Sequence, residues 1–440
     1  MSIDFGDDFF FGTATSSFQI EGRSPIIPQG ESIWDSFCAL PGRVSDRSNG
    51  LIACNHVERY AEDVALMKKL NMGVYRFSVA WPKVIPNGRG VVSPAGLDFY
   101  DRLVDELLAA DIVPFPTLYH WDLPQALDDD GGWMMRETAE AFADYTTAVV
   151  ERLGDRISTW MTFNEPYVSA ALGYVTGEHA PGHRSLDAGL AVAHHLLVAH
   201  GMGMERIRAA APNAEAGIVL NFTPAKPATK APADVAAADI RNAWENEWYI
   251  GPIMGKGYPE RAVEALGWNR VIDVRDGDME LIAAPIDVLG VNYYSRSVVS
   301  AVGQTQPLSH QRTEMGWEVH PESMRALLVW IHENYAPPKI VITENGAAMP
   351  DTQVAGGRIN DTDRIDYLRR HLHAVHAAKE AGVPMAGYLA WSLMDNFEWA
   401  HGYTKKFGLV EIEERTLNRK PKASALWFAE VARTGVVPDA

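Results

Sequence analysis

Short apolar runs rich in β-branched and aromatic residues alternate with amphipathic helical stretches along the whole chain. That alternation is the strongest constraint on its fold. The runs fall at 9–13 (FFFGT), 75–81 (YRFSVAW), 112–118 (IVPFPTL), 158–163 (STWMTF), 215–222 (EAGIVLNF), 288–293 (VLGVNY), 340–343 (IVIT) and 386–392 (AGYLAWS). Between and after them, helical spacing predicts helices over 56–70, 97–110, 138–153, about 191–211, 234–249, 322–334, 364–382 and 424–433. In the first, Val57, Tyr60, Val64, Met67 and Leu70 share a face. The helix over 364–382 ends on Gly382 before Pro384, a stop signal. The stretches 224–232, rich in Pro, Ala and Lys, and 251–258 read as loops.

A run as uniformly apolar as 340–343 suits a strand buried on both faces, as in a parallel sheet. Strand–helix units without an internal repeat or a linker predict the α/β class: a single (β/α)8 TIM barrel over residues 1–440, with extended loops at the C-terminal face of the strands. The rival is a doubly wound open sheet, which usually carries GxGxxG after its first strand. No such fingerprint occurs here, and Gly201 and Gly203 lack the third glycine and the preceding strand.

Composition narrows the function. Lys and Arg number 39 against 57 Asp and Glu, a formal charge of −18 over 440 residues. That balance argues against nucleic-acid or anionic-membrane partners and favours a neutral or cationic ligand. No apolar run reaches membrane-spanning length. The acidic start, MSIDFGDDFFFG, has no basic segment followed by a long apolar one, so no signal peptide is expected. Cys38 and Cys54 show neither CxxC nor Cys/His metal spacing. They read as reduced thiols of a cytoplasmic protein, and no metal or cofactor is expected. Several of the 13 Trp, 15 Tyr and 15 Phe stand at strand ends, where flat rings can face an apolar ring surface.

A barrel collects its chemistry at the carboxyl ends of its strands. The polar residues follow that rule: Gln19 and Glu21 after the first strand, Arg76 in the second, Tyr119-His120-Trp121-Asp122 after the third. Asn164-Glu165, Asn292-Tyr293-Tyr294 and Glu344-Asn345 close three others, and Trp391 leads into Asn396-Phe397-Glu398-Trp399. Glu165 and Glu344 each emerge from a buried strand, where a carboxylate is costly without a partner or a task. Taken singly, either is open to being a salt-bridge partner, for instance of Arg76. As a pair across a barrel mouth they suit acetal cleavage, one attacking or stabilising and the other protonating the departing oxygen. Gln19, His120, Asn164 and Glu398 are bidentate or dual-character hydrogen-bonding groups suited to vicinal hydroxyls. No Lys or Arg cluster suitable for a phosphate accompanies them. His194, His195, His371, His373 and His376 fall in predicted helices without HExxH and read as packed or solvated side chains. The acidic stretch 128–130 reads as a solvated loop.

Several motifs resemble those of glycoside hydrolase family 1, the β-glucosidases and their relatives. They are TFNEP at 162–166, ITENG at 342–346, FFFGTATSSFQIEG at 9–22, YRFSVAWP at 75–82, YHWDLP at 119–124, VNYYS at 291–295 and WSLMDNFEWAHGY at 391–403. The resemblance implies exo-acting, retaining hydrolysis of terminal β-D-glucosyl residues, with β-galactosidase or β-fucosidase side activity. The implied substrates are β-glucosides and short β-linked oligosaccharides, as in cellulose degradation. By the same resemblance Glu344 is the nucleophile and Glu165 the acid/base. Arg76 and Tyr294 contact the nucleophile, and Asn164 holds the sugar 2-hydroxyl. Gln19, His120, Trp121, Trp391, Glu398, Trp399 and Phe407 belong to the terminal-sugar pocket, Trp317 and Tyr167 to the aglycone side.

On that footing the two carboxyl carbons are expected about 5–5.5 Å apart, the spacing for direct attack. Arg76 and Tyr294 are expected to lower the pKa of Glu344, and the charge on Glu344 to raise that of Glu165. Glu398 and Phe407 argue against a 6-phosphosugar despite Lys405, and Glu165 argues against the thioglucosidase pattern. Tyr167 stands where tryptophan is common and Lys406 where arginine is common, and 23–30 (RSPIIPQG) departs from the usual loop. The alternatives are a transglycosidase using the same intermediate and a sugar-binding barrel without turnover.

Overall fold

Each of the apolar runs becomes a strand of one closed barrel: β1 (Phe10–Ala14), β2 (Val74–Ser78), β3 (Val113–Tyr119), β4 (Thr159–Asn164), β5 (Glu215–Asn221), β6 (Val288–Asn292), β7 (Ile340–Asn345) and β8 (Met385–Trp391). The computed structural model describes residues 2–268, 272–305 and 311–438. Neighbouring strands pair in parallel and in chain order, and β8 closes the ring on β1. Around the sheet lie α1 (His56–Lys69), α2 (Pro94–Ala109), α3 (Glu137–Leu153), α4 (Leu186–Ala210), α5 (Pro232–Asn242), α6 (Pro321–Tyr335), α7 (Thr362–Glu380) and α8 (Ala423–Thr434). Ser93 and Ser185 start α2 and α4, each accepting a bond from a backbone N–H of the first turn.

Both faces of the sheet are apolar. Val74, Phe115, Met161, Val219, Val288, Val341 and Leu389 form one cluster inside the ring. Their chain neighbours, among them Tyr75, Trp160, Ile218, Leu289, Ile342 and Tyr388, pack outward under the helices. Burying one such side chain contributes about 1.5–3 kcal/mol. A slip by one residue would exchange the two faces of a strand, so its register is strongly held.

The alternation breaks at two places. Pairing of β7 with β6 shifts between Ile342 and Glu344, and pairing of β4 with β5 shifts between Met161 and Asn164. With Val341 and Met161 inside, strict alternation would send Glu344 and Asn164 outward. The extra residue in each strand turns both side chains inward.

Other departures from the sequence reading are local. The strand expected over 75–81 stops at Ser78, because Trp81 opens the short helix Trp81–Val84 with Pro82 in its first turn. The expected loop 224–232 contains the strand Ala225–Pro227, which pairs with Ser297–Ser300. The expected helix 234–249 changes pitch after α5: a π-helical turn, Ala243–Glu247, precedes the helix Trp248–Ile253, which runs into the expected loop 251–258. Part of the acidic stretch 128–130 belongs to a short helix, Gln125–Asp129.

Candidate active site

The bulge in β7 delivers Glu344 into a closed set of donors. Arg76, fully buried, directs Nη1 at Glu344 Oε1 (2.6 Å), Nη2 at Asn164 Oδ1 (2.8 Å) and Nε at Thr117 Oγ1 (3.0 Å). Three strands thus fix the plane of one guanidinium, which Lys could not reproduce. The Tyr294 hydroxyl donates to the other oxygen of Glu344 at 2.5 Å. Asn292 donates to Glu165 Oε1 (2.6 Å) and to Asn164 Oδ1 (3.0 Å), while its own Oδ1 accepts from Thr343 Oγ1 (2.7 Å). Glu344 and Glu165 are therefore wired into one network.

Electrostatics separates the pair. Burial raises Glu344 above the ordinary carboxylate range, and the charge and hydrogen bonds of Arg76 and Tyr294 only partly reverse this. The expectation of a lowered Glu344 pKa is thus corrected: removal from water outweighs its partners. Glu165 is pushed up to about 8, first by burial and then by the charge on Glu344, against weaker opposition from Asn292 and Arg76. Glu398 is also raised to about 8 by burial and by Glu344, opposed by a hydrogen bond from Gln19. His120 is held well below the usual imidazole range by burial and then by Arg76, so it is neutral.

A cavity of about 760 Å³ opens over this floor. His120, Trp121, Trp391, Glu398, Trp399 and Phe407 line it beside the two glutamates. The His120 ring lies nearly parallel to Trp391 (5.9 Å between centroids) and to Trp399 (6.0 Å). Trp121, Glu165 and Trp399 all adopt positive φ, at 74°, 49° and 46°. Such conformations cost about 1–3 kcal/mol each and collect at working sites.

Gln19 is fully buried beside Glu398. Its amide donates to Phe397 O (2.8 Å) and Asn396 Oδ1 (3.0 Å), bracing the segment that leads to Glu398. Asn164 uses its oxygen on Arg76 and Asn292 and one amide hydrogen on His120 Nε2 (3.1 Å), leaving one hydrogen for a ligand. Trp317 packs on Tyr294 (5.3 Å), and the Tyr167 hydroxyl donates to Glu245 (2.6 Å); both residues line the outer cavity. Glu21 turns away to Lys83 (2.6 Å). Among the helical histidines, His194 binds Tyr258 and Asp278, and His371 stacks on Tyr367.

Asn292, Thr117 and Thr343 are partners whose roles the sequence reading did not assign. Parity offered a signal, since Thr117 follows Phe115 by two residues, Thr343 follows Val341 by two and Asn292 follows Val288 by four. Glu245 and Arg241, on the outer wall, had none: they flank a change of helical pitch.

Glycosyl hydrolase family 1 is the family whose model matches, over residues 1–436. A beta-glucosidase of Agrobacterium sp. (strain ATCC 21400) is 44% identical over 442 residues, covering 98% of this chain and 96% of that protein. A bifunctional beta-D-glucosidase/beta-D-fucosidase of Bifidobacterium breve is 40% identical, covering 97% and 98%. The solved family 1 β-glucosidase from Thermotoga maritima superposes with a TM-score of 0.95 at 40% identity, covering 99% of each chain. With the family's pattern present along nearly its whole length, this chain belongs to glycosyl hydrolase family 1 and is a glycoside hydrolase.

Proposed function

We propose that this enzyme is an exo-acting, retaining β-glucosidase that removes terminal β-D-glucosyl residues by double displacement. Glu344 attacks the anomeric carbon as the C1–O bond breaks, and the proton of Glu165 goes to the departing oxygen with the bonding pair. Glycosylation removes the charge on Glu344, which is one cause of the raised Glu165 pKa. Glu165 can then ionise, take a proton from water and direct it at C1, releasing Glu344 with net retention. Arg76 and Tyr294 position Glu344 and stabilise it as leaving group. Asn164 serves the 2-hydroxyl, whose contacts strengthen in the transition state. Glu398 accepts from the 4- and 6-hydroxyls, so galactosyl and fucosyl groups are tolerated as side substrates. Trp121, Trp391 and Trp399 supply ring faces.

The observation that carries this reading is the wiring of both carboxyl groups through Arg76, Asn164 and Asn292 at the floor of one cavity. Azide tests the roles. Glu344→Gly should lose turnover on an aryl β-glucoside by on the order of 10⁴-fold or more, and azide should then give the α-glycosyl azide. Glu165→Gly with azide should give the β-azide. Exchanged products would overturn the assignment.

The substrates are β-glucosides and short β-linked oligosaccharides, including those of cellulose degradation, with residues 1–440 working as one catalytic barrel. The proposed location is the cytoplasm, for which the two free cysteines speak. No described helix is long and apolar enough to cross a membrane.

A further inference from the structure

Five charged side chains outside the cavity are buried together beneath three segments of its wall. Lys422, fully buried just ahead of α8, donates to Asp395 Oδ1 (2.8 Å) and Asp351 Oδ2 (2.5 Å). Arg364, at the start of α7 and 1% exposed, donates to Asp351 Oδ1 (2.9 Å), to Asp361, and to the carbonyls of Lys406 (2.7 Å) and Ala347 (3.4 Å). Asp395 also accepts from the backbone N–H of Gly408 (2.9 Å).

The partners are placed in a pattern. Ala347 and Asp351 follow Glu344 on the segment leaving β7. Asp395 lies three residues before Glu398 on the segment leaving β8. Lys406 and Gly408 flank Phe407. Removing five ions from water is expensive, and apolar residues of similar volume hold a core equally well. Here the directed bonds of these ions tie three irregular segments to one another.

We propose that Lys422 and Asp351 are positioning residues that set the distance between Glu344 and Glu398, and so the enzyme's recognition of the sugar's outer hydroxyls. This rests on the reading of Glu398 given above. Neither residue lines the cavity, so each acts through the segment it holds.

The test compares p-nitrophenyl β-D-glucoside with the β-D-xyloside, which lacks the 6-hydroxymethyl group that Glu398 is proposed to hold. In Lys422→Met, KM for the glucoside should rise by on the order of tenfold through misplacement of a substrate-holding group, while KM for the xyloside, which keeps only the 4-hydroxyl contact to Glu398, rises by less and kcat for each is largely kept. Asp351→Asn leaves two cations facing Asp361 and Asp395. It should lower the glucoside-to-xyloside ratio of kcat/KM in the same direction and by less, and it decides the matter if Lys422→Met does not fold. A ratio unchanged in the folded variants, or equal losses on both substrates, would show a merely structural cluster. A wild-type enzyme with no preference for the glucoside would instead remove the reading of Glu398, whatever the variants do.

Discussion

At the floor of the cavity both oxygens of Glu344 have donors, Asn292 uses its amide on both sides, and Arg76 is spoken for by three strands. The outer wall is built differently. Glu245 binds Tyr167 and Arg241 through one oxygen, while its other oxygen and Arg241 Nε are buried without a partner. Each such group costs about 1–3 kcal/mol. Two π-helical turns, Ala171–Thr176 and Ala243–Glu247, bring Leu172 and Glu245 to this wall. Helices of that pitch are rare and concentrate where function re-aims a side chain. The contrast is between a floor whose two carboxyl groups share one bonded network and an outer wall where Glu245 Oε2 and Arg241 Nε stay buried without a partner.

Substitutions can break that contrast. The largest effect among the supporting residues belongs to Tyr294→Phe, which removes one donor from Glu344 and should lower kcat by about 10²–10³. A steady-state kcat near wild type would mean the floor is far less determined than its bonds suggest.

Next in size is the pH dependence. In the proposed mechanism Glu165 acts first as an acid, and its raised pKa keeps it protonated up to about 8. Above that value kcat/KM on a neutral aryl glucoside should fall about tenfold per pH unit. Glu398 shares the value of about 8, so the limb should survive Glu398→Gln; its disappearance there would reassign it. The same raised values bear on stability. Between the ordinary carboxylate range and about 8 the folded chain holds protons that the unfolded chain releases, so Tm should fall as pH rises through that window. Glu398→Gln should flatten the fall.

The smallest effect sharpens the comparison from the other side. Tyr167→Phe removes the hydrogen bond to Glu245 and should shift KM by roughly threefold to tenfold, about 0.5–1.5 kcal/mol. The shift should differ between aryl and sugar leaving groups, while kcat for the common deglycosylation step stays fixed.

The barrel was legible because burial on both faces writes itself as unbroken apolar runs, and the rim because polar residues cluster where those runs end. Less legible was the mechanism that aims them. Counting by twos from Val341 or Met161 points Glu344 and Asn164 away from the cavity, and only the paired strand reveals the inserted residue. The direction of the Glu344 shift was misjudged for a related reason: its charged partner is visible in a motif, whereas the depth of its burial is not. Nor does a helical repeat of 3.6 announce a π-helical turn, which is why Glu245 went unassigned.

The measurement that bears most directly on the double displacement is the anomer released first from an aryl β-glucoside, followed by NMR before mutarotation. Release of the β-anomer is the predicted result. Release of the α-anomer would mean a single displacement by water, and would contradict the account of Glu344 as nucleophile.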